Sequence, residues 1–90
     1  MNHPLTMVVE GLVRLNAVEE DRVTVTERRP RPGRLDIDID PGVTENVGPI
    51  IGYKGQNIER VRDLVRALAL ERALYVRIKV LADAYAHARA

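Results

Sequence analysis

The stretch IIGYKGQNI (residues 50–58) places two glycines on either side of two residues, one of which is a lysine. Glycine at both ends lets the backbone take conformations closed to other residues and lets another chain approach closely. The residues after Gly55 have helical periodicity, so the loop would lie at a helix N-terminus, where free N–H groups and the helix dipole favour an anion. Lys54 adds a full positive charge, and the pattern therefore indicates a phosphate site.

Two other phosphate motifs do not fit this loop. Gly48, Gly52 and Gly55 have the wrong spacing for G-x-G-x-x-G, and Lys54 is not followed by the Ser or Thr of a P-loop. The alternative to a phosphate site is a helix–helix turn in which glycine only permits a sharp bend.

Composition restricts the class of protein. Ninety residues form one domain, and 46% apolar with 30% charged residues fits a folded chain. Because the chain has no Phe and no Trp, its core must be aliphatic. The absence of cysteine excludes disulfides and thiolate metal sites. A net charge of +1 means that any positive surface for a nucleic acid must be local.

The chain shows no targeting or membrane segment. No apolar run approaches the roughly 20 residues that span a bilayer, and the first residues lack the features of a signal peptide. We therefore expect a cytoplasmic protein.

Hydrophobic periodicity predicts six elements in the order α-β-β-α-α-β. They are a helix carrying Leu5, Val8, Val9, Leu12 and Leu15, strands at 23–26 and 35–40, a short helix at 44–51, a helix at 56–70 and a strand at 75–80. The first two strands should form a hairpin, while two helices join the second strand to the third. We expect an α+β fold, a three-stranded mixed sheet with all helices on one face, in a domain of residues 1–81 followed by an alanine-rich tail at 82–90.

The alternation of charges gives a check on strand pairing. Asp36, Asp38 and Asp40 share one face of the second strand, and Arg77 and Lys79 share one face of the third. If these strands are neighbours, opposite charges face each other across the ladder. A metal site built from the three aspartates is disfavoured, because alternate positions on a flat strand do not converge on one ion.

The loop and the element order together resemble the type II KH domain, whose I-G-x-x-G-x-x-I signature matches Ile51 to Ile58 and whose elements match Val23 to Val80. The similarity is greatest to the small bacterial single-domain KH proteins of the KhpA-like family. This resemblance implies single-stranded RNA binding, in which the G-x-x-G loop clamps about four nucleotides. It also implies an RNA chaperone or post-transcriptional regulator that forms homodimers, or heterodimers with a larger RNA-binding protein of the KhpB/Jag type.

The binding hypothesis assigns three roles to residues near the loop. The backbone of Gly52, Tyr53, Lys54 and Gly55 would hold phosphates together with the lysine side chain. Apolar residues would line a shallow groove for the bases, namely Val47, Ile51 and Ile58 with Ile37 or Ile39 from the sheet edge. Polar side chains at the rim would read the bases unless they are only a solvated helix face, namely Gln56, Asn57 and Arg60.

Two further features affect the expected surface. Tyr53 departs from the polar or basic residues usual in the KhpA-like loop; it can stack on a base or anchor a protein partner. The hairpin turn at 28–34 carries Arg28, Arg29, Arg31 and Arg34, which are either secondary phosphate contacts or a solvated loop. In KH domains the connection corresponding to residues 70–74 flanks the groove. It is very short here, so the resemblance implies a narrow clamp with weak, sequence-tolerant binding.

Catalysis is not expected, and neither is a cofactor or a metal. The chain has no Ser or Cys, and His3 and His87 lie in terminal segments where neither is placed to orient a nucleophile. The rival to RNA binding is a protein-interaction module in which the surface at 50–58 forms a dimer contact and RNA binding is incidental.

Overall fold

A computed structural model of the chain describes residues 1–82, and these form three α-helices and a three-stranded sheet. In chain order the elements are α1 (Pro4–Asn16), β1 (Thr24–Arg28), β2 (Arg34–Asp40), α2 (Val47–Ile51), α3 (Gln56–Leu70) and β3 (Tyr75–Val80). The predicted α+β class and mixed sheet are confirmed. Apart from Ala82, the predicted tail at 82–90 lies outside the described residues.

The strand order β1-β2-β3 puts β2 in the centre of the sheet. β1 and β2 pair antiparallel as a hairpin, with Arg28 opposite Asp36. β2 and β3 pair parallel, with Ile37 opposite Ile78. β3 is therefore an edge strand whose outer side pairs with no other strand among residues 1–82.

The core lies between one face of the sheet and the helices, and it is aliphatic as predicted. Alternate residues of the strands point into it, together with one stripe of α1 and one stripe of α3. Its members include Leu5, Val9, Val13, Val25, Leu35, Ile37, Ile39, Ile50, Ile58, Val61, Val65, Val76 and Ile78.

The predicted helix at 44–51 is two short pieces, a 3₁₀ turn at Thr44–Asn46 followed by α2. Because α2 begins at Val47, Pro49 is its third residue, where the missing N–H has no intrahelical acceptor to lose. This explains how proline is tolerated in the middle of the predicted element.

Asn46 fixes the point where α2 starts. Its side chain is fully buried; its amide nitrogen donates to the carbonyls of Glu19 at 2.9 Å and Pro41 at 2.8 Å, and its oxygen accepts from the N–H of Glu19 at 2.8 Å. One fully satisfied amide thus joins the α1–β1 connection to the end of β2. The start of the segment leading to the glycines is held by this contact.

The helix-free face of the sheet carries the predicted charge ladder, with Asp36 opposite Arg77 and Asp38 opposite Lys79. The ion pairs, however, run to other arginines. Arg34 Nε lies 2.9 Å from Asp36 Oδ1, and Arg28 Nη2 lies 3.1 Å from Asp38 Oδ2. Asp36 is only 6% exposed, so its carboxylate is buried although it lies on the face without helices.

The hydrogen bond from Arg34 lowers the pKa of the Asp36 carboxyl below its ordinary value and outweighs the opposite effect of burial. A carboxylate with a lowered folded-state pKa stabilises the fold above its unfolded pKa and loses that contribution as the pH falls. The free energy of unfolding should therefore decrease below about pH 4, and Asp36→Asn should flatten this decrease.

Urea unfolding followed by circular dichroism at about pH 7 and about pH 3 measures the effect. Asp63→Asn, which removes an exposed carboxylate from α3, controls for the loss of one negative charge. An acid-induced decrease as steep in Asp36→Asn as in the wild type would contradict this role for Asp36.

Candidate functional site

The glycine loop, residues 52–55, joins α2 to α3 through an unusual backbone. Gly52 has φ 81° and ψ 171°, Gly55 has φ 76° and ψ 12°, and between them Lys54 has φ 54° and ψ 27°. A positive φ is uncommon for a residue with a side chain and is found preferentially at functional sites. The loop is an exposed apex at the N-terminus of the fifteen-residue helix α3.

Position 52 requires glycine for two reasons, namely the positive φ angle and the lack of space for a side chain. A Cβ at this position would lie 2.6 Å from Asn57 Cγ and 2.8 Å from the Asn57 backbone nitrogen. The Asn57 side chain in turn donates to the carbonyl of Pro49 at 2.8 Å, which ties the first turn of α3 to α2. Asn57, predicted to read bases, therefore braces the loop with its amide nitrogen.

The loop uses several of its own amides. Gly52 N–H donates to Gly48 O at 2.7 Å, Gly55 N–H donates to Gly52 O at 3.0 Å, and Gln56 N–H donates to Tyr53 O. In the described part of the chain, this leaves the N–H groups of Tyr53 and Lys54 at the apex for an anion. The predicted phosphate site is accordingly narrower than the whole loop backbone.

Tyr53 and Lys54 both point outward. The Tyr53 side chain is 75% exposed, and the Lys54 ammonium lies 5.3 Å from the centre of its ring. This cation–π contact holds a positive charge beside an aromatic surface. The pair can meet a phosphate and the adjacent sugar or base together.

A groove of about 600 Å³ lies between the glycine loop, α3 and the free edge of β3. Its floor is apolar and its rim is mainly cationic. The apolar part comes from Ile51, Ile58, Ile78 and Val80, and the charged part from Lys54, Glu59, Arg62, Arg77 and Lys79.

Arg62 spans this groove. Its Nη1 lies 2.6 Å from the Glu59 carboxylate, and its Nη2 donates to the carbonyl of Ile78 at 3.1 Å. Arg62 thus neutralises Glu59 and ties α3 to the outer backbone of β3. Within residues 1–82, Lys54, Arg77 and Lys79 make no ion pair, although Arg77 helps to lower the pKa of the Asp36 carboxyl opposite it. The charges of Lys54 and Lys79 are therefore the most available to a ligand.

The structure distributes the remaining predicted site residues unevenly. Ile51 and Ile58 line the groove, whereas Val47 is half-buried and outside it. Gln56 is exposed at the start of α3. Arg60 lies with Asn57 along a separate depression shared with α1, so it does not face the groove.

The prediction that Ile37 or Ile39 lines the groove from the sheet edge was wrong. Ile37 and Ile39 are fully buried, because β2 is the central strand and both side chains face the helices. The groove takes its sheet residues from β3 instead. The sequence pattern of residues 75–80 predicted that Arg77 and Lys79 share one face and lie opposite aspartates. It did not predict that their strand forms the edge of the groove, because that depends on the strand order.

The arginines of the hairpin turn are largely engaged within the protein. Arg28 and Arg34 pair with aspartates of β2, and Arg29 Nε lies 2.7 Å from Glu27 Oε2. Of the four, Arg31 alone makes no ion pair in the described part of the chain. Most of their charge is compensated, which favours a structural role for this cluster over secondary phosphate contacts.

Comparison with models of known protein families, with curated proteins and with solved structures found no match to this chain. The helices at 1–82 include none with the length and apolar character to cross a membrane. Over the same residues, no cluster of His, Asp and Glu is arranged to hold a metal ion.

The two loop glycines should differ in their tolerance of alanine. Gly52→Ala introduces both an unfavourable φ and a collision with Asn57, so we expect a cost of about 2–3 kcal/mol. Gly55→Ala meets nothing within 4 Å and should cost only about 1–2 kcal/mol for the left-handed backbone. The free energy of urea unfolding measures both.

Gly11→Ala is the matched control, because Gly11 lies inside α1 with open space around it. There alanine should stabilise the protein by up to about 1 kcal/mol. Equal costs at Gly52 and Gly55 would show that the contact with Asn57 does not constrain the loop.

Proposed function

We propose that this chain binds single-stranded RNA as a type II KH domain, in the groove between the glycine loop, α3 and β3. The observation that carries the proposal is the exposed loop with positive φ angles at the N-terminus of α3, directly beside an apolar groove with unpaired cations on its rim. The loop suits the phosphate of a nucleotide, and the groove suits its flat base.

The phosphate contact rests on the apex of the loop. A phosphate there would meet the N–H groups of Tyr53 and Lys54 and the Lys54 ammonium, next to the positive end of the α3 dipole. None of these groups distinguishes one base from another. They set the position of the strand and not its sequence.

The bases would rest on the groove floor against the outer edge of β3. Tyr75 N–H donates to Gly33 O and Leu81 N–H to Ile39 O, so odd-numbered residues point their backbone groups towards β2. Even-numbered residues then face outward, and the Ile78 carbonyl indeed meets Arg62. The outward N–H of Ile78 is a donor for a base edge beside the apolar side chains.

The charges favour binding of a polyanion at the β3 edge over binding across the β2 part of the open face. The open face carries the aspartates of β2, whose charges are compensated by Arg28 and Arg34. Arg77 and Lys79 lie on the same face at the β3 edge, make no ion pair within residues 1–82, and add positive charge to the rim of the groove. A polyanion is therefore directed along β3 and not across the sheet.

One groove of this size gives modest affinity, because ordering a flexible strand offsets much of the contact energy. A second site raises the effective affinity, either in a homodimer or in a complex with a larger RNA-binding protein of the KhpB/Jag type. On this proposal the protein acts as an RNA chaperone or post-transcriptional regulator.

The rival function is a protein-interaction module that uses the same surface. The observation favouring it is Tyr53, a large aromatic side chain that is mostly exposed. Exposed aromatic residues are frequent anchors in protein interfaces.

Replacing the loop apex by acids tests the site. Tyr53→Asp combined with Lys54→Asp places two carboxylates where a phosphate would lie, and it should abolish binding of single-stranded RNA while leaving the fold intact. Val18→Asp with Arg22→Asp makes the same change of charge at exposed positions outside the groove and should retain most of the affinity. Fluorescence anisotropy of labelled RNA measures both.

The salt dependence of binding distinguishes RNA binding from protein interaction in the same assay. Phosphate-driven binding weakens steeply as the salt concentration rises, whereas an apolar contact between proteins does not. RNA affinity equal to wild type in the folded double variant would remove the glycine loop from the site.

A further inference from the structure

A second depression continues the groove along the seam between α3 and β3. α3 reaches β3 through a short turn, so the end of α3 lies beside the start of β3, away from the glycine loop. The depression has a volume of about 310 Å³ and is lined by Arg66, Ala69, Leu70, Leu74, Tyr75 and Val76. Arg66 follows Arg62 by one turn of α3, so the two cavities are consecutive along one seam.

Tyr75 presents a rigid aromatic surface at the end of this seam. Its side chain is 64% exposed, and its N–H is held by Gly33 O at 2.9 Å. The guanidinium of Arg34 lies 5.6 Å from the ring centre, and Arg34 is itself held by Asp36 at 2.9 Å. The ring is thus oriented by a fixed cation on one side.

The surroundings suit a nucleotide. Val76 is even-numbered and turns its backbone groups outward at the strand edge, as Ile78 does. Arg66 is exposed on α3 and makes no ion pair within residues 1–82, and the same holds for Arg31 on the neighbouring hairpin turn. An aromatic platform with Arg66 in the same depression is complementary to a base and its phosphate.

A base at Tyr75 would add to the nucleotides that are held at the glycine loop. Tyr75 lies five residues before Val80, which corresponds to about 17 Å along a strand. A G-x-x-G loop clamps about four nucleotides. If these four nucleotides are held at the loop end of the seam, a base stacked on Tyr75 is an additional one.

We propose that Tyr75 is a stacking platform for a further unpaired base, so that the RNA footprint runs the full length of the α3–β3 seam. The inference rests on the proposed RNA binding and extends it to longer single strands. Arg34 orients the ring, and Arg66 meets the phosphate beside the stacked base.

The test compares random-sequence RNA of four and eight nucleotides. The eight-nucleotide RNA should bind the wild type more tightly than the four-nucleotide RNA. Tyr75→Ala should remove this gain, lowering affinity for the longer RNA by about five- to a hundredfold, the range expected for one stacked base. Tyr75→Phe should preserve it, and so should Leu15→Ala, which changes an exposed apolar residue of α1 outside the seam.

Because the chain has no tryptophan, single Tyr75→Trp and Tyr53→Trp variants give separate fluorescence signals. RNA of four nucleotides should change the emission at position 53 only, and RNA of eight nucleotides should change both. Two results would overturn the stacking platform alone while four-nucleotide RNA still binds at the loop. One is equal affinity for both lengths, and the other is a gain in affinity with length that survives Tyr75→Ala. Absence of binding for both lengths overturns the proposed function, and the platform with it.

Discussion

The parallel pairing of β2 with β3 is the constraint from which the candidate site follows. Parallel neighbours cannot be joined by a hairpin, so the chain must cross over the sheet between them. Here the crossover consists of α2, the glycine loop and α3. Since α3 leads back to the start of β3, its N-terminus lies near the end of that strand, and the loop and the strand edge enclose one groove.

Packing within the crossover then determines the shape of the loop. Asn46 holds the start of α2, and Asn57 ties the first turn of α3 to Pro49. Gly52 lies against Asn57 with no room for a side chain. The apex at Tyr53 and Lys54 is consequently presented by buried and hydrogen-bonded neighbours on both sides, a preorganisation that lowers the cost of binding.

Charge is divided between stability and binding. The arginines of the hairpin turn largely serve the sheet, because Arg28 and Arg34 neutralise the aspartates of β2. Arg77 and Lys79 at the edge make no ion pair within residues 1–82. The division explains how a chain with a net charge of only +1 can offer a local positive surface.

Periodicity was sufficient to predict the order of the six elements, because each depends on the local spacing of apolar residues. The mixed sheet followed from the two helices between the second and third strands, and the aliphatic core followed from the absence of Phe and Trp. The strand at the edge was not predictable in this way. Ile37 and Ile78 have the same alternating pattern, and only the strand order makes one buried in the centre and the other part of the groove. The direction of the Asn57 side chain depends on the positive φ angles before it, which no periodicity encodes.

The most direct test of the account is a nuclear magnetic resonance titration of the isotope-labelled protein with single-stranded RNA, following each backbone amide. Signals of Tyr53 and Lys54 in the glycine loop and of Ile78 to Val80 in β3 should shift together, while those of β1 and α1 stay unchanged. Shifts confined to α1 or β1, or no shifts at RNA concentrations well above those of the protein, would contradict it.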